Sequence, residues 1–365
     1  MNCQQFENGS MSFRAFYLSG KLPEDVVQRF AKHAMPPIDT LGSNEIHGWV
    51  SSRHMLDRII TPDNIYYAGY LRLTLAKAEK KIPAALLRSE CRMAELAHLS
   101  ASGNQFLYRN DRIEIRKAIT DRLLPTMPAT LSGIPILINR NILYAGAISE
   151  KQMDVLTLNF METTGVRLIP MTAQSISLLR NNESTEDIAP SSFSPYVEDA
   201  LTSSSIGQDF LTWLLFYSET SGGIFKFDGS EYAFMLEAPL TFFMEGNGSH
   251  LVILRNGCPL VSGEAKEALR VGKKLTCARI TMAQGSNTWT LAFSSEFVFR
   301  GLKIVKNKED LDPVSQFQER MLALDTFMNA FLFLYDIFLA ERLHPIWPEV
   351  RLAIHNWVDT RVTKG

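Results

Sequence analysis

The stretch from Lys77 to Leu124 constrains the fold most. A strand-like run enters it, Pro83 breaks that run, and two helices follow with a bend at Ser100 to Asn104. Proline cannot donate into a sheet ladder, yet it fits the first turn of a helix. Ala84 to Leu99 therefore reads as the first helix, with Leu86, Leu87, Met93, Ala94 and Leu96 roughly at helical spacing. Asp111 reads as the N-cap of the second, with Glu114 three residues on as its capping-box partner. That helix runs to Leu124 and is closed by Pro125 and Pro128.

The same stretch is basic in an acidic chain. It holds ten Lys/Arg against six Asp/Glu, while the whole chain carries a formal charge of −2. A positive helical arm on such a chain asks for an anionic partner. The competing explanation is a solvated helix face laced with i,i+4 ion pairs.

On either side of the arm the pattern is mixed. Phe13 to Leu18 reads as a strand, and Pro23-Glu24-Asp25 opens a helix with Val26, Val27, Phe30 and Ala34 on its apolar face. A polar connection leads to Gly48-Trp49-Val50, and Tyr66 to Leu75 is a long strand. Beyond the arm, Ile134–Ile138 and Ile142–Ala147 pair as strands. Ser149 and Gln152 then cap a helix that ends before Gly165, and Val166–Pro170 returns as a strand. Asn181 to Pro195 has the composition of a linker. An apolar helix from Asp209 to Glu219 follows it. Five strand-like runs come next, with a hairpin turn at Gly285-Ser286-Asn287, then a long apolar helix from Val314 to Leu343 and a last helix from Glu349.

The expected class is α+β. Two strand–helix–strand units form a central domain (11–76 and 129–180), and the arm (77–128) is inserted between them. A linker (181–208), a mixed base domain (209–345) and a C-terminal helical extension (346–365) complete the chain. The start of the chain is polar, with no leader pattern. The apolar window Met321–Leu339 carries Asp325, Asn329 and Asp336, so a buried helix is expected rather than a membrane span. The four cysteines are far apart and suggest neither zinc nor a disulfide framework, which fits a cytoplasmic setting.

Catalytic motifs are missing: there is no G-x-S-x-G, H-E-x-x-H, Walker loop or strand-linked G-x-G-x-x-G. His47 and His54, with Arg53 and Asp57, are a weak acid–base or metal candidate. Glu183, Glu186 and Asp187, and separately Glu309, Asp310 and Asp312, are acidic clusters in polar stretches with no strand to hold them as metal ligands. No cofactor or metal is expected. A smaller basic cluster comprises Arg270, Lys273, Lys274 and Arg279, with a polar turn as its plainer explanation.

The order of several short segments resembles the recombination-associated protein RdgC family of bacterial DNA-binding proteins. The segments are Gly48-Trp49-Val50, expected in the first loop; Ala78-Glu79-Lys80-Lys81-Ile82-Pro83; Leu123-Leu124-Pro125; Ser149 to Gln152; Leu168 to Thr172; Phe210 to Leu214; and Gly272-Lys273. The resemblance spans roughly residues 11 to 343 and is patchy. It implies a ring-shaped homodimer that passes duplex DNA through a positive hole without sequence preference, restrains RecA-type recombination by competing for DNA, and resides on the nucleoid. On that basis Lys80, Lys81, Arg88, Arg92, Arg109, Arg112, Arg116, Lys117 and Lys273 are the candidate DNA-facing residues. Departures are Pro128, where the family has an aromatic tip residue, and Arg255 as the lone charge of a loop that is basic in the family. Rival functions are a DNA-processing nuclease and a protein-interaction scaffold with no affinity for DNA.

Overall fold

The computed structural model describes residues 5–41, 45–103, 105–181, 188, 191–199, 205–244, 250–255, 262–304 and 311–361. The first half contains β1 (Met11–Leu18), α1 (Val26–Lys32), β2 (Ile46–Ser51), the short α2 (Pro62–Ile65), β3 (Tyr66–Tyr67) and the long β4 (Tyr70–Lys80). The arm helices α3 (Ala84–Ser102) and α4 (Arg109–Leu123) come next. They are followed by β5 (Ala129–Asn139), β6 (Ile142–Ala145), α5 (Glu150–Thr164), β7 (Leu168–Pro170) and α6 (Ala173–Asn181). The second half is α7 (Ile206–Thr220), β8 (Ile224–Phe227), β9 (Ser230–Phe243), β10 (Leu251–Leu254), α8 (Gly263–Arg270), β11 (Lys274–Gln284), β12 (Asn287–Ser294), β13 (Phe299–Ile304), α9 (Pro313–Leu343) and α10 (Trp347–Thr360).

The chain is a mixed α+β protein with one antiparallel sheet. The path runs β10-β9-β11-β12-β13-β1-β6-β5-β4-β2, with β3, β7 and β8 on its flanks. β1 is the seam. It pairs with β6 from Arg14 opposite Ala145 to Tyr17 opposite Ile142, and with β13 through Met11 opposite Leu302 and Phe13 opposite Phe299. Side chains alternate across a strand. Phe13 and Ala15 accordingly enter a large core, while Phe16 enters a second one on the other face.

The second core lies between α1, α5 and the central strands and is centred on Trp49, Phe30 and Phe160. The Trp49 indole nitrogen donates to Thr163 Oγ1 at 2.8 Å, so its one polar atom is satisfied. The larger core holds α7, α9 and α10 against the base strands. Phe210 sits at its middle, ringed by Trp213, Phe293, Phe331, Tyr335 and Phe338. α9 is long and apolar enough to cross a bilayer by length and composition, but thirteen of its residues are buried in this fold. Asp325 on α9 accepts from Asn139 Nδ2 (2.9 Å) and Tyr144 Oη (3.1 Å), which ties the helix to β5 and β6.

Several local expectations meet the structure directly. Ser149 accepts from Gln152 N to cap α5, Gly165 closes it at φ +76°, and Gly285 turns the β11–β12 hairpin at φ +56°. Others differ. Gly48-Trp49-Val50 is not a loop but the centre of β2, in register with β4. Gly48 is required there, because a Cβ would collide with the Met35 backbone. Asp111 is not the N-cap of α4. The helix begins at Arg109, and the Asp111 carboxylate accepts from Tyr108 N at 3.1 Å, so the acid occupies the third helical position. Helix α6 was not expected; Thr172 and Ser175 cap its start with mutual hydrogen bonds.

The polar stretch assigned to a linker is partly core. Ser191 to Ser194 are buried, and Phe193 packs 6.0 Å from the Trp347 ring centroid. Composition misleads here because the small hydroxyls are satisfied locally, as with Ser192 Oγ donating to Ser194 O. The C-terminal extension is likewise integral: Ile354, Trp357 and Val358 are buried, and Arg361 pairs with Glu219.

Candidate nucleic-acid interface

β4 and β5 are paired along their whole length, from Leu71 opposite Ile138 to Lys80 opposite Ala129. The two helices α3 and α4, the segment called the arm, therefore form the connection between the paired strands β4 and β5. Its helices have little core of their own. No residue of α3 is buried, and only Ile119 is buried on α4. Arg122 crosses between them to Glu90.

The candidate cations divide into two groups. Lys80 donates to Pro125 O at 2.9 Å and braces the root of the arm. Lys81 pairs with Glu79, and Lys81 with Lys77 holds that carboxyl below its ordinary value. Arg88 returns to Ala84 O at 3.2 Å, and Arg92 lies 3.5 Å from Glu95. These four already serve intramolecular partners. Arg109, Arg112, Arg116 and Lys117 form no ion pair among the described residues, and all four are exposed.

Helix geometry arranges these four. Positions i, i+3 and i+7 share one flank of an α-helix, which places Arg109, Arg112 and Arg116 in a row, while Lys117, three residues after Glu114 and four before Asp121, lies toward the acidic flank. Asp111, Glu114 and Asp121, at i, i+3 and i+10, occupy another flank. The three arginines are thus kept apart from the acids of the same helix, and only Lys117 stands next to them. The helix also begins with Arg109, at the end where its dipole is positive and cations are disfavoured. Both features raise the local positive potential. Exposed apolar groups flank it: Leu86, Met93 and Leu96 on α3, Phe106 and Tyr108 at the bend, and Ile113 on α4.

The base cluster separates on folding. Lys273 is buried, which removes it from the exposed set, and Lys274 is sealed against Asp209 and Ser191 O under the Phe193 ring. Arg270 lies over the Tyr196 ring. Only Arg279 faces solvent from the sheet, and there it gains neighbours that no linear spacing reveals. Glu237, Arg279, Ala292 and Arg300 cross four strands in register, and the next row is Met235, Thr281, Thr290 and Lys303. Arg279, Arg300 and Lys303 are exposed on this face and unpaired among the described residues. Strand alternation was the available clue; the pairing of β12 with β13 was not.

Other candidates have ordinary places. His47 lies on β2, half-buried, and desolvation lowers its pKa. The His54 ring accepts from Leu56 N. Asp312 caps α9, while Glu183, Glu186, Asp187, Glu309 and Asp310 lie outside the described residues. Among the described residues no group of three His, Cys, Asp or Glu could hold a metal ion. In comparisons with known proteins, no family model matches the chain, and no curated protein matches it.

Proposed function

We propose that this chain is a non-enzymatic, sequence-independent duplex-DNA-binding protein that acts as a homodimer. The observation that carries the proposal is the row Arg109, Arg112 and Arg116, exposed, without intramolecular counter-ions among the described residues and on a different flank from the acids of the same helix, with the exposed Lys117 on the neighbouring flank. Cations held this way suit phosphate oxygens, which give affinity and salt dependence without reading sequence. The exposed sheet face carrying Arg279, Arg300 and, in the next row, Lys303 supplies a second backbone-contacting surface. A dimer doubles both surfaces. The apolar groups around the arm, above all Phe106 and Tyr108, favour a protein contact there, and a second copy of the arm meets that need where Pro128 replaces the expected tip aromatic. The resemblance to the RdgC family extends the proposal to a ring that encircles DNA on the nucleoid and limits access of a RecA-type recombinase.

The test is binding to a random-sequence duplex across a salt series, for wild type and for Arg112→Glu, Arg116→Glu and Lys117→Glu combined. With about six phosphates neutralised, log K falls against log salt with a slope of roughly −5. Loss of binding in the triple variant assigns the arm. Binding that survives it moves the contact to the Arg279–Arg300–Lys303 face. No binding by wild type at low salt rejects the proposal and leaves the protein-scaffold reading, which the exposed apolar groups of the arm support.

A further inference from the structure

A cavity of about 280 Å³ lies apart from the arm and the base sheet face. It is lined by Arg53 after β2, by Asp63, Tyr66 and Tyr67 around α2 and β3, and by Arg72 of β4 with its partner Glu7. Arg72 is fixed rather than flexible. Its guanidinium carbon lies 4.2 Å from the Tyr67 ring centroid and 5.1 Å from that of Phe317, and Nη1 donates to Glu7. Its Nε is buried with no hydrogen-bond partner. A buried guanidinium with an idle donor is costly unless something accepts from it.

The second guanidinium is brought close by a pinned loop. Ser51 Oγ donates to Asp57, Arg53 N donates to Ser51 Oγ at 3.2 Å, and Asn64 holds Thr61 N at 2.8 Å and bonds Ile59 O. Arg53 is exposed, forms no ion pair among the described residues, and its charge works against that of Arg72. Arg72 is partly balanced by Glu7, so Arg53 is the cation of the cavity left without an ion pair among the described residues, and guanidinium groups match phosphate in geometry as well as charge. The wall beside them is aromatic: Tyr66 is 45% exposed as a residue, whereas Tyr67 already carries Arg72 on its face. Asp63 and Glu7 limit how much negative charge the site accepts, which favours a monophosphate over a triphosphate.

We propose that this cavity binds a mononucleotide, its phosphate between Arg53 and Arg72 and its base against the Tyr66 ring. The site is independent of the DNA surface, since it shares no residue with the arm or the base row.

Equilibrium dialysis or titration calorimetry with AMP, adenosine and inorganic phosphate tests it on the full chain. The expected result is one AMP per chain, with adenosine and phosphate each binding at least about tenfold more weakly. Arg53→Ala, at an exposed position, loses about tenfold or more for AMP without a change in thermal unfolding. Tyr66→Ala weakens AMP and leaves inorganic phosphate unchanged, and the triple arm variant binds AMP as wild type does. The proposal is overturned by no AMP binding to wild type at millimolar concentration. It is equally overturned by Arg53→Ala binding AMP normally, by phosphate binding as tightly as AMP, or by loss of AMP binding in the arm variant.

Discussion

The base and the arm are built on opposite principles. In the base, rings pack on rings: Phe210 alone lies within 6.5 Å, centroid to centroid, of Trp213, Phe293, Phe297, Phe331, Tyr335 and Phe338. Polar atoms on its buried rings find partners, as in Trp213 Nε1 donating to Glu341 and Tyr335 Oη donating to Ala173 O. In the arm, two helices of 19 and 15 residues bury a single side chain between them, Ile119. Burial is what stabilises a helix beyond its weak intrinsic propensity. The arm leaves that stabilisation unrealised and keeps its apolar and basic groups on the surface. So little burial is expected to give it a lower local stability than the base.

The contrast is sharpest for Phe210→Ala. It removes the central ring of the base and is expected to cost about 3–5 kcal/mol, read as a lowered midpoint in urea unfolding. A cost near zero would mean that the base core is not the stability centre. Next comes Lys274→Met. It removes the Nζ ion pair of the buried Asp209 and is expected to cost about 3 kcal/mol, whereas replacing both residues with apolar ones recovers most of the loss. Ile119→Ala takes away the arm's one buried residue. Amide exchange in α3 and α4 should accelerate while the global unfolding midpoint moves little; a large global loss would show that the arm and base unfold together.

The smallest effect concerns the acids of α9. Burial raises the pKa of Asp325, Asp336 and Glu341. A carboxyl with a raised folded pKa binds protons more tightly when folded, so stability falls as pH climbs from the ordinary carboxylate value through the raised one. Asp325→Asn still accepts a hydrogen bond from Tyr144 and no longer carries a charge to desolvate. It is expected to flatten the pH dependence above about pH 4 and to change stability by less than about 1 kcal/mol. A steeper slope would assign the carboxylate a stabilising role.

Local chemistry decided much of this molecule in advance. Pro83, the Ser149–Gln152 cap, the Gly285 turn and the long apolar run of α9 each specify an element through contacts within a few residues, and each is legible without the fold. The charge segregation of α4 is legible too, because helical periodicity alone divides Arg109, Arg112 and Arg116 from Asp111, Glu114 and Asp121. What tertiary structure alone decided is which groups remain free. Lys273 and Lys274 look like Arg279 in the chain, yet two are buried and one faces solvent, since strand register and the packing of the Ser191–Ser194 segment determine burial. Arg53 and Arg72 line one cavity because β2 pairs with β4 as far as Ser51 opposite Leu73, and Arg279 and Arg300 flank Ala292 because β12 bridges their strands. Short-range steric and capping preferences act along the chain and can be read there. Register, burial and the convergence of distant charges arise only when the sheet closes at β1.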